Sequence, residues 1–169
     1  MRRTRPPKIV ISNRQTLLRL NSRVVRRVLR EAWKTQTLHA LCSAPRACVA
    51  ASQSRPRSTL HVPSELSVVF VTDAEIARIN MGFLGHPGPT DVITFQHGEI
   101  IISTERAVAQ AKKFKTDVVQ ELALYLTHGL LHLTGYDDTT ASTRSTMTRR
   151  QRWILQRVRK KLDLHQILR

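Results

Sequence analysis

Four stretches of the chain have the hydrophobic pattern of β-strands. Each is short, rich in Val and Ile, and flanked by polar or turn-forming residues. These stretches are KIVISN (8–13), ELSVVFVTD (65–73), TDVITF (90–95) and EIIIS (99–103). The cluster GHPGP (85–89) lies just before the third stretch and predicts a turn there.

Between and after these strands, apolar residues recur at the spacing of helices. In the first helical stretch Leu17, Leu20, Val24 and Val28 share a face, and Asp73 is placed to cap the second. The predicted helices cover residues 16–33, 74–80, 104–114, 117–133 and 139–161. This order favours the α+β class, in which a small mixed sheet packs against several helices.

The length of the chain, 169 residues, suits a single domain over 1–169. Periodicity is lost over 36–63, where Ser, Ala, Pro and Arg accumulate. That segment is expected to be a long loop or a partly disordered insertion. Residues 1–7 form a basic N-terminal extension.

The charge of the chain is strongly unbalanced. Lys and Arg number 28 against 12 acidic residues, giving a net charge of +16 and a pI near 11.4. Such a field concentrates polyanions near the surface, so RNA is the first candidate partner and an anionic membrane surface the weaker one. The alternative is a general preference for arginine, or residence in a ribosome-like particle. Arginines beside the first predicted helix are either a solvated face or an RNA contact.

The cysteine and hydropathy patterns favour a cytoplasmic protein. Cys42 and Cys48 have neither the number of a disulfide scaffold nor the spacing of a zinc knuckle, and we interpret them as ordinary thiols. No apolar run reaches the length of a membrane span, and the basic start leads into no secretory signal. An organelle transit peptide stays open, because the first acidic residue is Glu31.

The stretch YLTHGLLHLTGYDD (125–138) carries the candidate chemistry. His128 and His132 are one helical turn apart, so both imidazoles can point at one position. Gly135 can end the helix in the left-handed conformation and bring Asp137 or Asp138 back over the same face. Two histidines and one carboxylate leave a fourth position for water, the arrangement of a catalytic zinc site.

A buried helix with incidental polar residues is the alternative to a metal site. The H-E-x-x-H motif of zinc peptidases has a glutamate after its first histidine, whereas this chain has Gly129 there. A peptidase of that type would therefore lack its general base. Thr90 and Asp91 either form a strand-entry turn or support the site, and His86 and His97 are interpreted as surface residues.

The motif HGLLHLTGYDD resembles the signature H-G-x-L-H-L-x-G-Y-D-H of the YbeY endoribonucleases, which mature ribosomal RNA in bacteria. PTDVITF (89–95) is similar to the family's P-T-D-V-L-S-F, and GEIIIS (98–103) is similar to G-D-I-V-I-S. Matching segments also precede these motifs, and ISNRQ (11–15) has the family's opening character. The resemblance covers most of 8–160, apart from the 36–63 insertion.

The resemblance implies one Zn²⁺ per chain, held by His128, His132 and Asp138 as metal ligands and catalytic residues. Asp138 stands where the family has its third histidine, and a carboxylate is an accepted zinc ligand. Leu84 stands where the family has an arginine, a cation expected to hold the scissile phosphate. Either another basic residue replaces that arginine, or activity is reduced or lost.

The function implied is that of a zinc-dependent, single-strand-type endoribonuclease in ribosomal RNA maturation. Its expected partners are ribosomal RNA and, as a further option, ribosomal small-subunit proteins, with no membrane and no nucleotide cofactor. Basic side chains of the first and last helices would hold the RNA backbone. The alternatives are a non-catalytic RNA- or ribosome-binding assembly factor and a zinc hydrolase for another substrate.

Overall fold

The structure, a computed structural model, describes residues 6–42 and 63–169. Its four strands form one sheet in the spatial order β1-β2-β4-β3. Strand β1 pairs parallel with β2, β2 pairs parallel with β4, and β3 pairs antiparallel with β4. The strands are β1 (Lys8–Asn13), β2 (Glu65–Val71), β3 (Val92–Phe95) and β4 (Glu99–Ser103). The predicted small mixed sheet is confirmed.

Five α-helices accompany the sheet in the described residues. They are α1 (Ser22–Cys42), α2 (Asp73–Ile79), α3 (Thr104–Phe114), α4 (Val118–Leu133) and α5 (Ala141–Arg159). A π-helical turn, Asn80–Leu84, continues α2, and a 3-10 turn, Leu164–Ile167, follows α5. In this part of the chain no helix combines the length and the apolar character needed to cross a membrane.

The first helix begins later than its periodicity predicts. It starts at Ser22 rather than Thr16. The reason is a local turn in which the Gln15 amide accepts from the Leu18 backbone N–H and donates to the Leu18 carbonyl, both at 2.9 Å. Such side-chain bonds offer the backbone an alternative to helix hydrogen bonds.

The same helix also ends later than predicted, because buried polar residues hid its continuation. Gln36 is buried and accepts a 2.6 Å hydrogen bond from Arg150 of α5. Helix α1 therefore runs on to Cys42, and the loop predicted to begin at residue 36 is wrong at its start. The rest of that segment, 43–62 with Cys48, lies outside the described residues, as do residues 1–5 of the basic extension.

Helix α2 is capped by Thr72, whose hydroxyl accepts from the Glu75 N–H at 3.3 Å, and not by Asp73 as predicted. The Asp73 carboxylate instead accepts from the Ser103 hydroxyl at 2.5 Å and pairs with Arg106 at 3.2 Å. The prediction of the cap is wrong by one residue, because the Asp73 carboxylate bonds residues of β4 and α3 and Thr72 caps the helix.

The sheet separates two apolar clusters of unequal size. Alternate β2 residues Leu66, Val68 and Phe70 face the larger cluster, which α1, α4 and α5 complete. Val69 and Val71 face the smaller one, which includes Ile76 of α2. The larger cluster is therefore the core on which α4 is mounted.

Helix α4 approaches the sheet most closely at Gly129. A Cβ at this position would lie 2.7 Å from Cγ2 and 2.9 Å from Cδ1 of Ile100, which is fully buried on β4. Those separations are shorter than carbon atoms tolerate. Only glycine lets the helix rest at this depth.

We expect Gly129→Ala to destabilise the protein, because the added methyl group must displace a β-branched side chain that is packed on all sides. Overpacking of this kind costs about 1–3 kcal/mol, which outweighs the gain of up to about 1 kcal/mol in helix propensity. Urea unfolding of both proteins measures the difference.

Gly82→Ala is the matched control, because a Cβ there meets nothing within 4 Å. Equal stability of Gly129→Ala and the unchanged protein would show that Ile100 can move aside.

Candidate metal centre

Helix α4 presents His128 and His132 on one face, one turn apart. Their Nε2 atoms are 3.1 Å from each other, and the ring centroids are 4.6 Å apart at an interplanar angle of 82°. The two imidazoles therefore converge on one position, as their spacing predicts. Their side chains are 26% and 23% exposed, so that position is reachable from solvent.

The turn after α4 brings a carboxylate to the same position. Gly135 has φ 84°, the left-handed conformation that the sequence predicts, and its N–H donates to the His132 carbonyl at 3.0 Å. The chain then reverses, and Asp138 Oδ2 lies 3.7 Å from His128 Nε2. Asp138 Oδ1 lies 3.8 Å from His132 Nε2.

Asp137, the alternative carboxylate, bonds the following residues of the turn. Its Oδ1 accepts from the backbone N–H groups of Asp138 at 2.8 Å and Thr139 at 3.2 Å, and its Oδ2 accepts from the Thr139 hydroxyl. The hydroxyl bond is the main reason that the pKa of Asp137 lies below its usual value. Asp137 shapes the turn that Asp138 uses.

The second nitrogen of each imidazole is also bound. His132 Nδ1 is 3.1 Å from the Tyr136 carbonyl, which can only accept, so this nitrogen carries the proton. His128 Nδ1 is 3.2 Å from Oε1 of Gln151 on α5, which likewise accepts. In the neutral rings both Nε2 atoms are then unprotonated and offer lone pairs to the shared position.

The donor set fits a metal ion. Three groups that can only accept meet at one position with no donor among them, which is unfavourable unless a cation lies there. Two ligands of a tetrahedral zinc ion at 2.0–2.1 Å are roughly 3.3 Å apart, close to the Nε2 separation of 3.1 Å. His128, His132 and Asp138 are the group in the described residues that could hold a metal ion.

Burial favours the neutral form of His128. Loss of solvent is the largest cause of its lowered pKa, and the neighbouring His132 lowers the pKa further. The Gln151 hydrogen bond and the charges of Asp138 and Asp91 oppose this shift. A neutral imidazole is the form that binds a metal ion.

The other residues singled out in the sequence lie beside the site or away from it. The Asp91 carboxylate accepts from Thr90 Oγ1 at 3.1 Å and from the Val92 N–H at 3.0 Å, as expected for a strand-entry turn. Its charge also acts on His128, where it raises the pKa of the imidazole. His86 and His97 are exposed, as interpreted.

Sequence reasoning missed Gln151, which holds the outer nitrogen of His128. Its signal was its place in the buried stripe of α5, where a glutamine stands among Met147, Ile154 and Val158. A polar residue at an apolar position indicates a buried partner.

The comparisons with known proteins agree on one family. The profile described as "Endoribonuclease YbeY" matches residues 31–159. The protein of that name from an Exiguobacterium species is 36% identical over 113 residues, covering 55% of this chain and 72% of the relative. The one from Moorella thermoacetica is 36% identical over 111 residues, covering 54% and 71%.

A solved structure shares the fold. The solution structure of TM1509 from Thermotoga maritima matches with a TM-score of 0.58 and 22% identity, covering 89% of this chain and 88% of that chain. The resemblance in sequence and the α+β class are confirmed together.

We expect Asp138→Asn to weaken metal binding much more than Asp137→Asn. The first change removes the charged ligand atom, whereas the second leaves an oxygen that can still accept from the turn. Altering an outer contact typically costs about 10–100-fold in metal affinity, and loss of a ligand should exceed that. Zn²⁺ titration against a competing chelator measures both. A larger loss of zinc affinity in Asp137→Asn would show that Asp137, and not Asp138, is the third ligand.

We expect the metal-free protein to lose stability as the pH falls below 6.5, the ordinary pKa of His128. The unfolded chain then takes up a proton at this imidazole that the folded protein resists, so the free energy of unfolding decreases. His128→Gln should reduce this dependence. Urea unfolding in chelator at about pH 7.5 and about pH 5.5 measures it.

The exposed His86→Gln is the matched control for the pH measurement. An unchanged pH dependence in His128→Gln would show that other groups cause the loss.

Proposed function

The chain belongs to the Endoribonuclease YbeY family, and we propose that it is a zinc-dependent endoribonuclease that acts in the maturation of ribosomal RNA. The observation that carries the proposal is the convergence of His128, His132 and Asp138 on one solvent-accessible position. One zinc ion per chain, a single-strand type of cleavage and a cytoplasmic location complete it.

A zinc ion bound there would supply a polarised water and a Lewis acid for a phosphate oxygen. The two imidazoles are held ready by Gln151 and the Tyr136 carbonyl, so little reorganisation is needed on binding. Asp138 brings a negative charge where the family has an imidazole. That charge makes the bound cation a weaker Lewis acid, so we expect slower hydrolysis.

The site differs from that of a zinc peptidase in its immediate surroundings. Gly129 follows His128 where H-E-x-x-H enzymes have a glutamate base, and the packing against Ile100 excludes any side chain there. Phosphodiester hydrolysis in this proposal proceeds without a protein glutamate.

Charge supports RNA as the substrate. A net charge of +16 favours polyanions, and each phosphate neutralised by Lys or Arg releases a counterion. Ribosomal RNA is the substrate proposed, with ribosomal small-subunit proteins as additional contacts.

One observation favours the second candidate, a non-catalytic assembly factor. Leu84 is 48% exposed at the end of the π-helical turn, beside Met81 at 53% and Phe83 at 73%. An exposed apolar cluster is typical of a binding surface. Within this cluster, Leu84 stands where the family has an arginine expected to hold the scissile phosphate.

The metal requirement is tested by removing zinc with a chelator and adding it back during cleavage of structured and single-stranded RNA. Activity should vanish and return with about one Zn²⁺ per chain. His128→Ala/His132→Ala should hold no zinc and cleave nothing. Full cleavage by the metal-free protein would overturn the proposal.

We expect Leu84→Arg to raise the cleavage rate at least tenfold without a matching gain in RNA affinity. A fixed guanidinium offers two donors to the non-bridging oxygens, and one such group is typically worth about a hundredfold to a thousandfold in rate. Single-turnover rates at saturating RNA measure it.

Leu84→Gln, which is polar but uncharged, is the matched control. If neither Leu84→Arg nor the unchanged protein cleaves any RNA while both bind it, the assembly-factor function is correct.

A further inference from the structure

Helix α5 carries a concentration of positive charge that the fold does not neutralise. The helix contains no acidic residue. Its arginines are Arg144, Arg149, Arg150, Arg152, Arg157 and Arg159. Like charges crowded on one helix repel one another, so the arrangement costs stability.

Two of these arginines contact the ring of Trp153, and one of the two, Arg150, is buried. The guanidinium of Arg150 lies 4.2 Å from the ring centroid of Trp153 and donates to Gln36 of α1. Arg157 lies 4.1 Å from the same ring. The bond to Gln36 fixes the side of α5 that faces α1, whereas the Trp153 ring lines the outer face of the helix.

Arg149 and Arg152 are different. Both are exposed, and across residues 6–42 and 63–169 no acidic side chain pairs with either. With Arg144, Thr148 and Gln156 they line an open concave surface on the outer face of α5. These three arginines are the outer arginines of α5.

The helix geometry places Arg144, at one edge of this surface, beside the metal site, whereas Arg149 and Arg152 lie about 160° and about 100° around the helix from Gln151, on the solvent face. Arg150 points to α1 and Gln151 points to His128 on α4. Each residue turns a helix by about 100°, so Arg152 continues past Gln151 on the side away from α1. Arg144 lies about two turns before Gln151 on nearly the same line, and its Nε donates to the Asp138 carbonyl at 3.2 Å.

We propose that the outer arginines of α5, Arg144, Arg149 and Arg152, form a binding site for the phosphate backbone of single-stranded RNA that leads into the metal site. That the bound RNA leads into the metal site rests on the proposed function. The binding of RNA to these arginines does not. A guanidinium pairs with phosphate through two parallel hydrogen bonds, and in the described residues Arg149 and Arg152 have no acidic partner to leave, while Arg144 bonds only a backbone carbonyl through its Nε.

The exposed arginines of α1, which the sequence expectation also assigned to the RNA backbone, provide the comparison. Arg23 and Arg27 are exposed, but they lie about 14–20 Å along the helix axis from Gln36, the part of α1 that bonds Thr134 near the metal loop. They carry the same charge as Arg149 and Arg152 at a distance from the site.

The test compares Arg149→Gln/Arg152→Gln with Arg23→Gln/Arg27→Gln. Each pair removes two charges from exposed positions, and Arg144 stays intact because it bonds the Asp138 backbone. Binding of a labelled single-stranded oligoribonucleotide to metal-free protein is measured across salt concentrations. Log affinity falls as log salt rises, and the α5 pair should make this fall shallower by about 1.4, since each phosphate on a single strand contributes about 0.7 to the slope. The α1 pair should change it little.

Equal losses in both pairs would overturn the proposal, because net charge alone would then account for binding. An unchanged slope in the α5 pair would overturn it as well. With zinc restored, the α5 pair should raise KM and leave kcat unchanged, as expected for uniform binding. If the unchanged protein binds RNA but cleaves none, the endoribonuclease function fails, and the salt titration still decides the role of α5.

Discussion

The close approach of α4 to the sheet is the constraint on which the site depends. Gly129 rests against Ile100 with no room for a Cβ, which fixes both the depth of the helix and its rotation. His128 and His132 then lie roughly 60–100° around the helix from the sheet, at the edge of the core rather than inside it. If α4 were rotated so that the imidazoles faced the sheet, they would be buried. If it were rotated the other way, they would be separated from α5.

The three residues of the candidate metal centre come from one local segment, but their orientation depends on other segments. The turn at Gly135 delivers Asp138, and Asp137 holds that turn closed through its bonds to the following backbone. Gln151 on α5 then sets the tautomer of His128. The packing of α4 against α5 is therefore part of the site's chemistry, because it decides which nitrogen faces the metal position.

The distribution of charge follows from how the few acidic residues are used. Glu31 pairs with Lys34 and Lys161, which lowers its pKa, and Asp73 pairs with Arg106. These acids join elements of the fold to each other, and α5 receives none of them. The excess charge therefore concentrates on an exposed helix next to the candidate site, where a polyanion would be held.

The sequence by itself determined the strands, the histidine pair and the turn that follows it, because each depends on spacing within a few residues. Side chains at i and i+4 share a helix face whatever surrounds them, and Gly135 ends the helix through its own backbone conformation. Only the tertiary structure decided that α1 continues beyond Trp33, since Gln36 pairs with Arg150 across two helices. It likewise placed Asp138, and not Asp137, beside the two imidazoles, and it brought Gln151 and Arg144 to the same region. Those depend on contacts between segments that hydrophobic periodicity does not encode.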